Sequence, residues 1–252
     1  MSPPEIIAHR GYSARAPENT LVAVRAALDI GAPAVEWDVQ IARCGTPVLF
    51  HDFTLDRTTD RTGPLESLDA MELATVDAGS WFAEEFAGEP VPTLAAAVVT
   101  AHAGGVHIYP EIKAYGTLPD VDRIYDTVRS FGSVDRTTFI SMDWEALDRI
   151  AQIDDRVGLG YIVEAPERYA PALSKVKDDP RRILDLDWRI VLSDPEATRA
   201  ALVQGTRIAV WTVDDPETAD RLLAAGVSSF TTNETEVMLG WAASHGARGQ
   251  SE

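Results

Sequence analysis

Ile6-Ile7-Ala8-His9-Arg10-Gly11 is an apolar run that stops abruptly at a histidine, an arginine and a glycine. Apolar runs of this length read as buried strands, and a glycine immediately afterwards lets the backbone turn. His9 and Arg10 are therefore expected at the carboxyl end of a first strand, where α/β folds place their chemistry. The reading of the fold turns on what the rest of the chain brings to that point.

Working outward, Ser13 to Pro17 reads as a loop, and Asn19 or Thr20 as the cap of a helix over Leu21–Ile30 ended by Gly31. The second strand, Ala34–Val39, alternates, with Glu36 and Asp38 on one face and Val35, Trp37 and Val39 on the other. Two acids on a strand's inner face are expensive unless they are paired or bound to a metal. Pro47–Phe50 is another apolar run and ends at His51-Asp52. From there to Pro92 the pattern degrades, so residues 41–92 read as an excursion large enough for a small subdomain.

Regular alternation then resumes. Helices are expected over Leu94–Ala103, Val121–Phe131, Asp143–Ile153, Glu167–Leu173, Asp194–Val203, Asp215–Ala225 and Glu234–Ala243. Strands are expected over Val106–Lys113, Thr137–Ser141, Val157–Val163, Arg182–Asp187, Arg207–Val213 and Ser228–Thr232. With the run at Val48 assigned to the excursion, eight strand–helix pairs remain. Eight pairs in a chain of 252 residues point to a (β/α)8 TIM barrel with an insertion after the second strand. Alternation alone also permits an open doubly wound sheet. Residues 1–246 read as one catalytic domain and 247–252 as a flexible tail.

Composition narrows the function classes. The apolar fraction of 45% and charged fraction of 25% are those of a globular protein. A net charge of −18 argues against nucleic-acid and anionic-lipid surfaces, which need basic patches. No apolar run approaches a membrane span, and the first residues show neither a basic region nor an apolar signal core, so stable membrane association and export are not expected. Cys44 is the only cysteine, which excludes an internal disulfide and thiolate metal clusters and fits a cytoplasmic setting. No glycine-rich phosphate fingerprint is present.

The polar residues expected at the strand ends form a pattern. They are His9 and Arg10, Glu36 and Asp38, His51, and Glu111 with Lys113 two positions on. Carboxylate oxygens suit a hard divalent cation such as Mg²⁺ or Ca²⁺. Imidazoles can serve as general acid or base, and Arg and Lys can hold an anion. Together these parts describe hydrolysis of a phosphate diester. Each has a blander reading. Glu36 and Asp38 could pair with Arg10 or Lys113 as buried ions, and Lys113 could support Glu111. His102, His107 and His245 lack suitable neighbours and read as structural or surface residues.

His9-Arg10-Gly11, Pro17-Glu18-Asn19-Thr20, Glu36-x-Asp38, His51-Asp52 and Glu111-x-Lys113 resemble the signature of the glycerophosphodiester phosphodiesterase family. Leu55–Thr59, Asp77–Phe82 and Pro92–Leu94 resemble its insertion, and Trp211-Thr212-Val213 its late barrel strand. The resemblance implies metal bound by Glu36, Asp38 and Glu111, His9 and His51 as the acid–base pair, and phosphate contacts from Arg10 and Lys113. Trp211 is carried as a substrate contact, with a core role as the alternative. The implied substrate is a small glycerophosphodiester, cut to sn-glycerol 3-phosphate and an alcohol after attack by its own hydroxyl. A lysophospholipase D-like activity and a non-catalytic glycerol-phosphate binder on the same barrel are the alternatives. Two departures from the family pattern stand out: Tyr109-Pro110 precedes Glu111, and the last strand ends in Thr232-Asn233 where Thr-Asp is usual.

Overall fold

The computed structural model describes residues 3–247. The chain runs β1 (Glu5–Ala8), α1 (Leu21–Asp29), β2 (Ala34–Ile41), β3 (Pro47–Leu49), α2 (Ala70–Leu73), α3 (Leu94–Gly104), β4 (His107–Ile112), α4 (Leu118–Ser130), β5 (Thr138–Ser141) and α5 (Trp144–Ile153). It continues with β6 (Gly158–Val163), α6 (Tyr169–Val176), β7 (Arg182–Asp187), α7 (Trp188–Ser193), α8 (Pro195–Val203), β8 (Arg207–Trp211), α9 (Pro216–Ala224), β9 (Ser229–Thr232) and α10 (Thr235–Ala247).

The parallel strands follow one another around the sheet, and β1 pairs with both β9 and β2. That closure makes an eight-stranded parallel barrel and excludes the open sheet. Period-two alternation then sends one set of side chains inward and the other outward under the helices. Ile7, Ala34, Tyr109, Ile140, Ile162, Ile183 and Ala209 pack together as an apolar cluster of their own, the filling inside the barrel. A larger apolar layer, including Trp37, Phe139 and Phe230, lies between strands and helices.

β3 pairs antiparallel with the end of β2, Val39 opposite Leu49, and so is not a barrel strand. From Ala42 to Val91 the chain has a separate apolar cluster built on Val48, Phe50, Leu55, Leu65, Leu73 and Val76.

Several boundaries differ from expectation. α4 begins at Leu118, because Thr117 and Asp120 form a capping box ahead of it with Pro119 in the first turn. α7 was not anticipated; Asp187 caps it by accepting from the Arg189 N–H. β8 stops at Trp211, two residues short of the expected Val213. Thr20 alone caps α1, while Asn19 turns its side chain elsewhere. Pro110 does not break β4: the register to β2 is continuous through Trp37 opposite Pro110. The ladder to β5 is thinner, with Glu111 opposite Ile140 and one isolated bridge between Ile108 and Thr137, as a strand lacking one donor requires. The tail expected from residue 247 onward lies outside the described residues beyond Ala247. No helix among the described residues is long and apolar enough to cross a membrane.

Candidate active site

The barrel register assembles the acidic cluster. Parallel pairing sets Asp38 beside Glu111, and Glu36 lies two residues earlier on the same face of β2. All three are buried, and one oxygen from each lies within 4.8 Å of the others. Among the described residues no other set of three acids, histidines or cysteines meets that condition.

The turn after β1 brings the first histidine and arginine to this cluster. Gly11 has φ +80°, and a Cβ there would stand 2.5 Å from the Ala23 carbonyl carbon, so the turn presses directly on α1. Arg10 also has positive φ, 57°, a conformation that side chains other than glycine rarely take. In return its N–H donates to Glu36 Oε2 at 2.9 Å, and its guanidinium reaches Glu18 at 2.7 Å. Arg10 Nε lies 3.0 Å from Asp38 Oδ2 as a charge contact without hydrogen-bond alignment. Asn19, also at positive φ, donates to Asp38 Oδ2 and accepts from the Asp38 N–H.

The orientation of His9 can be traced outward to a carboxylate. Asp214 only accepts, so the contact to its Oδ2 at 2.8 Å must come from the Asn233 amide nitrogen. That leaves Asn233 Oδ1 facing His9 Nδ1 at 2.7 Å and Ser13 Oγ at 2.9 Å. Nδ1 therefore carries the proton, and Nε2 presents its lone pair, 3.9 Å from Glu36 Oε2. Burial, then the Arg10 charge, lowers the His9 pKa to about 4, so the ring is neutral at ordinary pH.

His51 follows β3 in a loop held from below by Gln40, whose amide nitrogen lies within 3.0 Å of the carbonyls of Phe50, His51 and Asp52. Asp52 Oδ1 lies 2.6 Å from His51 Nδ1. Its hydrogen bond from Arg57, chief among several causes, lowers the Asp52 pKa to about 2, so the carboxylate accepts from Nδ1–H and turns Nε2 outward. Arg57 also binds Glu18, the partner of Arg10. A continuous chain of ions thus links the two histidine-bearing segments.

The electrostatics show a crowded anion site. Burial raises Glu36 well above its ordinary value, and Asp38 and Glu111 push it further. Burial and then Asp38 raise Glu111 to about 7. Burial opposes ionisation of Asp38 too, but Arg10 and Lys113 outweigh it and leave its pKa below the ordinary value. Lys113 Nζ sits 3.1 Å from Glu111 Oε1 and 3.6 Å from Asp38 Oδ1. Glu36 Oε1 and Asp38 Oδ1 are buried without a hydrogen-bond partner among the described residues. Three carboxylates, two of them with orphaned oxygens, fit a hard divalent cation, whose charge would relieve the repulsion.

His9, Arg10, Glu36, His51, Glu111, Lys113 and Trp211 all line one cavity of about 150 Å³ at the carboxyl ends of the strands. Asp38 lies beneath them and reaches the cavity through Arg10 and Lys113. Trp211 is half-buried, its indole N–H donating to the Asp185 carbonyl at 3.2 Å. His102, His107 and His245 are hydrogen-bonded elsewhere, to Ser133, Thr138 and Trp241.

The sequence gives no site role to Glu18, Asp52, Arg57, Asp214 or Asp185, offers Asn19 only as a possible helix cap, and marks Asn233 only as a departure from the family pattern. Most act through contacts that the tertiary fold alone creates. Asp185 is different. In Ile183-x-Asp185-x-Asp187 an acid takes an inner-facing position of an apolar strand, the same signal that picked out Glu36 and Asp38.

Fold and cavity chemistry together describe a barrel hydrolase of phosphate diesters. A model of the "Glycerophosphoryl diester phosphodiesterase family" matches residues 9–237, and the chain belongs to that family. It is 28% identical over 246 residues to a "Glycerophosphodiester phosphodiesterase" of Caldanaerobacter subterraneus subsp. tengcongensis, covering 93% of this chain and 96% of that one. Human "Glycerophosphodiester phosphodiesterase 1" is 41% identical over 111 residues, 43% of this chain and 34% of its own length. The solved structure of an Oleispira antarctica phosphodiesterase in complex with the product sn-glycerol-3-phosphate superposes with a TM-score of 0.88 at 27% identity, covering 96% of this chain and 97% of that one. A glycerophosphodiester phosphodiesterase from Agrobacterium tumefaciens gives 0.80 at 28% identity, covering 96% and 100%. The chain is a phosphoric diester hydrolase.

Proposed function

We propose that this enzyme hydrolyses water-soluble glycerophosphodiesters to sn-glycerol 3-phosphate and an alcohol, with His9 and His51 as acid–base pair and Mg²⁺ or Ca²⁺ held by Glu36, Asp38 and Glu111. One observation carries the reading. Both imidazoles line the same cavity as Glu36 and Glu111 of the acidic cluster, and both have Nδ1 engaged by an outer acceptor, Asn233 or Asp52. Each ring therefore has only Nε2 left for a reacting group.

His9, kept neutral by burial, takes the proton of the substrate's glycerol 2-hydroxyl as that oxygen attacks phosphorus. The bond from phosphorus to the alcohol oxygen breaks, and His51 Nε2–H protonates the departing oxygen. In the second half the roles reverse. His51 takes a proton from water as water attacks the cyclic phosphate, the bond from phosphorus to the glycerol 2-oxygen breaks, and His9 returns its proton to that oxygen. Arg10 and Lys113 hold the phosphate oxygens, with Glu18 and Asp38 keeping the guanidinium in place. Trp211 forms a wall against the substrate carbons. A bound cation supplies positive charge against the phosphate and lowers the cost of the anionic transition state. Residues 1–246 act as one catalytic domain, and the inserted segment at about 41–92 contributes His51 to it.

The test is an assay of purified protein on glycerophosphocholine, glycerophosphoethanolamine and glycerophosphoglycerol, with metal and after chelation. Activity should vanish with EDTA and return with Mg²⁺ or Ca²⁺; full activity after exhaustive chelation removes the metal role. His9→Ala should lower turnover by roughly 10²–10⁴-fold with the fold intact, and near-normal turnover would sink the acid–base assignment.

A further inference from the structure

Asp185 is a carboxylic acid that the chemistry above does not use. It projects from β7 into the active-site cavity and is 4% exposed. Its Oδ1 is buried and finds no hydrogen-bond partner among the described residues. On β7 it pairs in register with Ile162 of β6 and Ala209 of β8, so its lateral neighbours offer nothing polar. It is also not part of the acidic cluster, whose ligand atoms come from Glu36, Asp38 and Glu111. A buried acid without a partner is costly, and a molecule bound in the cavity that reaches it offsets that cost.

The rest of that wall says what visits. Ile140, Met142, Ile162 and Trp211, from the β5, β6 and β8 segments on either side of β7, line the cavity with Asp185, and Thr212 and Thr231 complete the lining there. A mostly apolar wall with one buried carboxyl group suits a short carbon chain carrying a hydroxyl. The substrate of the proposed reaction has such a part. Its glycerol unit spends one oxygen on the phosphate ester and a second on the attack, which leaves the terminal hydroxyl without a role.

We propose that Asp185 is the specificity-determining residue for glycerol, its carboxyl group accepting the hydrogen bond of the substrate's free terminal hydroxyl. The inference rests on the reading of the cavity as a glycerophosphodiester site. A group built to pair with a hydroxyl rejects the analogue that lacks it, because binding the analogue leaves the buried oxygen unsatisfied.

The test compares glycerophosphocholine with its 1-deoxy analogue, the phosphocholine ester of propane-1,2-diol, which keeps the attacking hydroxyl. Wild-type kcat/KM should favour the glycerol substrate by about 10²-fold or more. Asp185→Ala should lower kcat/KM for the glycerol substrate by about 10²-fold more than for the analogue, bringing the ratio towards one. Asp185→Asn, which keeps an acceptor oxygen, should retain most of the preference and guards against a variant that misfolds. Calorimetric binding of sn-glycerol 3-phosphate and its 1-deoxy analogue reads the same contact without turnover. If wild type turns over neither diester but binds the glycerol phosphate preferentially through Asp185, the catalytic reading fails and this one stands. Equal handling of both ligands by wild type, or an equal loss on both in Asp185→Ala, overturns it.

Discussion

His9 is oriented by residues that do not themselves line the cavity. The amide of Asn233, turned by the Asp214 carboxylate, decides which ring nitrogen carries the proton. The departure from the usual Thr-Asp ending thus leaves a neutral acceptor at His9 and puts the charge one contact further out, on Asp214. Asn233→Asp would place a negative charge against Nδ1 and favour the imidazolium. The acid limb of kcat/KM, expected near pH 4 from the lowered His9 pKa, should then move up by roughly one unit. A limb that stays in place would separate His9 from the rate-controlling base. Asn233→Leu removes the acceptor and frees the ring, and should cost roughly 10²-fold in turnover with little change in substrate binding. An unchanged kcat would show that the tautomer needs no support.

At the scale of elements, the site depends on two close approaches. The first is the turn from β1 into α1. Gly11 combines positive φ with backbone contact to Ala23, so Gly11→Ala must either open the turn or push α1 away. It should destabilise the protein by about 2 kcal/mol or more in denaturant unfolding, and the displaced His9 should lower kcat as well. Wild-type stability in that variant would contradict the packing described. The second approach is the hold of Gln40 on the loop that carries His51. Gln40→Leu leaves the carbonyls of Phe50, His51 and Asp52 without that donor. It should reduce kcat roughly tenfold, since a loosened base or acid reaches its geometry less often. An unaltered kcat would show the loop to be held by Asp52 and Arg57 alone.

For the whole molecule, the cavity's buried acids link metal, pH and stability. Without metal, Glu111 is raised to about 7 and Asp185 to about 8, both with burial as the leading cause. A raised carboxyl means the folded state keeps a proton that the unfolded chain gives up. Its contribution to stability is present in acid and is lost as pH climbs through the folded value. His9 works the other way: with its pKa lowered to about 4, stability falls as pH drops below the ordinary value of 6.5. The two raised carboxyls outweigh the one opposing histidine, so the chelated protein should lose stability steadily, its Tm falling, from pH 5 to pH 8. Saturating Mg²⁺ or Ca²⁺ should remove the Glu111 part of that decline and add about 2.7 kcal/mol at a hundred times Kd. Thermal melts across pH 5–8 with metal and with EDTA measure both effects. A chelated Tm that rises steadily to pH 8, or one indifferent to metal, would speak against a cation among Glu36, Asp38 and Glu111.

The amino-acid sequence by itself determined the eight strand–helix alternation, the break in it after the second strand, and the acids and histidines at strand ends. Those are local properties. Hydrophobic period and inward-facing charge, as in Glu36-x-Asp38, are carried by neighbours in the chain, and so they can be read without a fold. What only the tertiary structure decided is long-range. Closure of β1 on β9 and β2 chose a barrel over an open sheet. The register that sets Asp38 beside Glu111 spans 73 residues of chain (111 − 38). The His9–Asn233 contact spans 224. The chain of ions from Asp52 through Arg57 and Glu18 to Arg10 joins two segments across the cavity mouth. A single sequence records the residue types at both ends of such contacts, but not that folding will bring those ends within 3 Å.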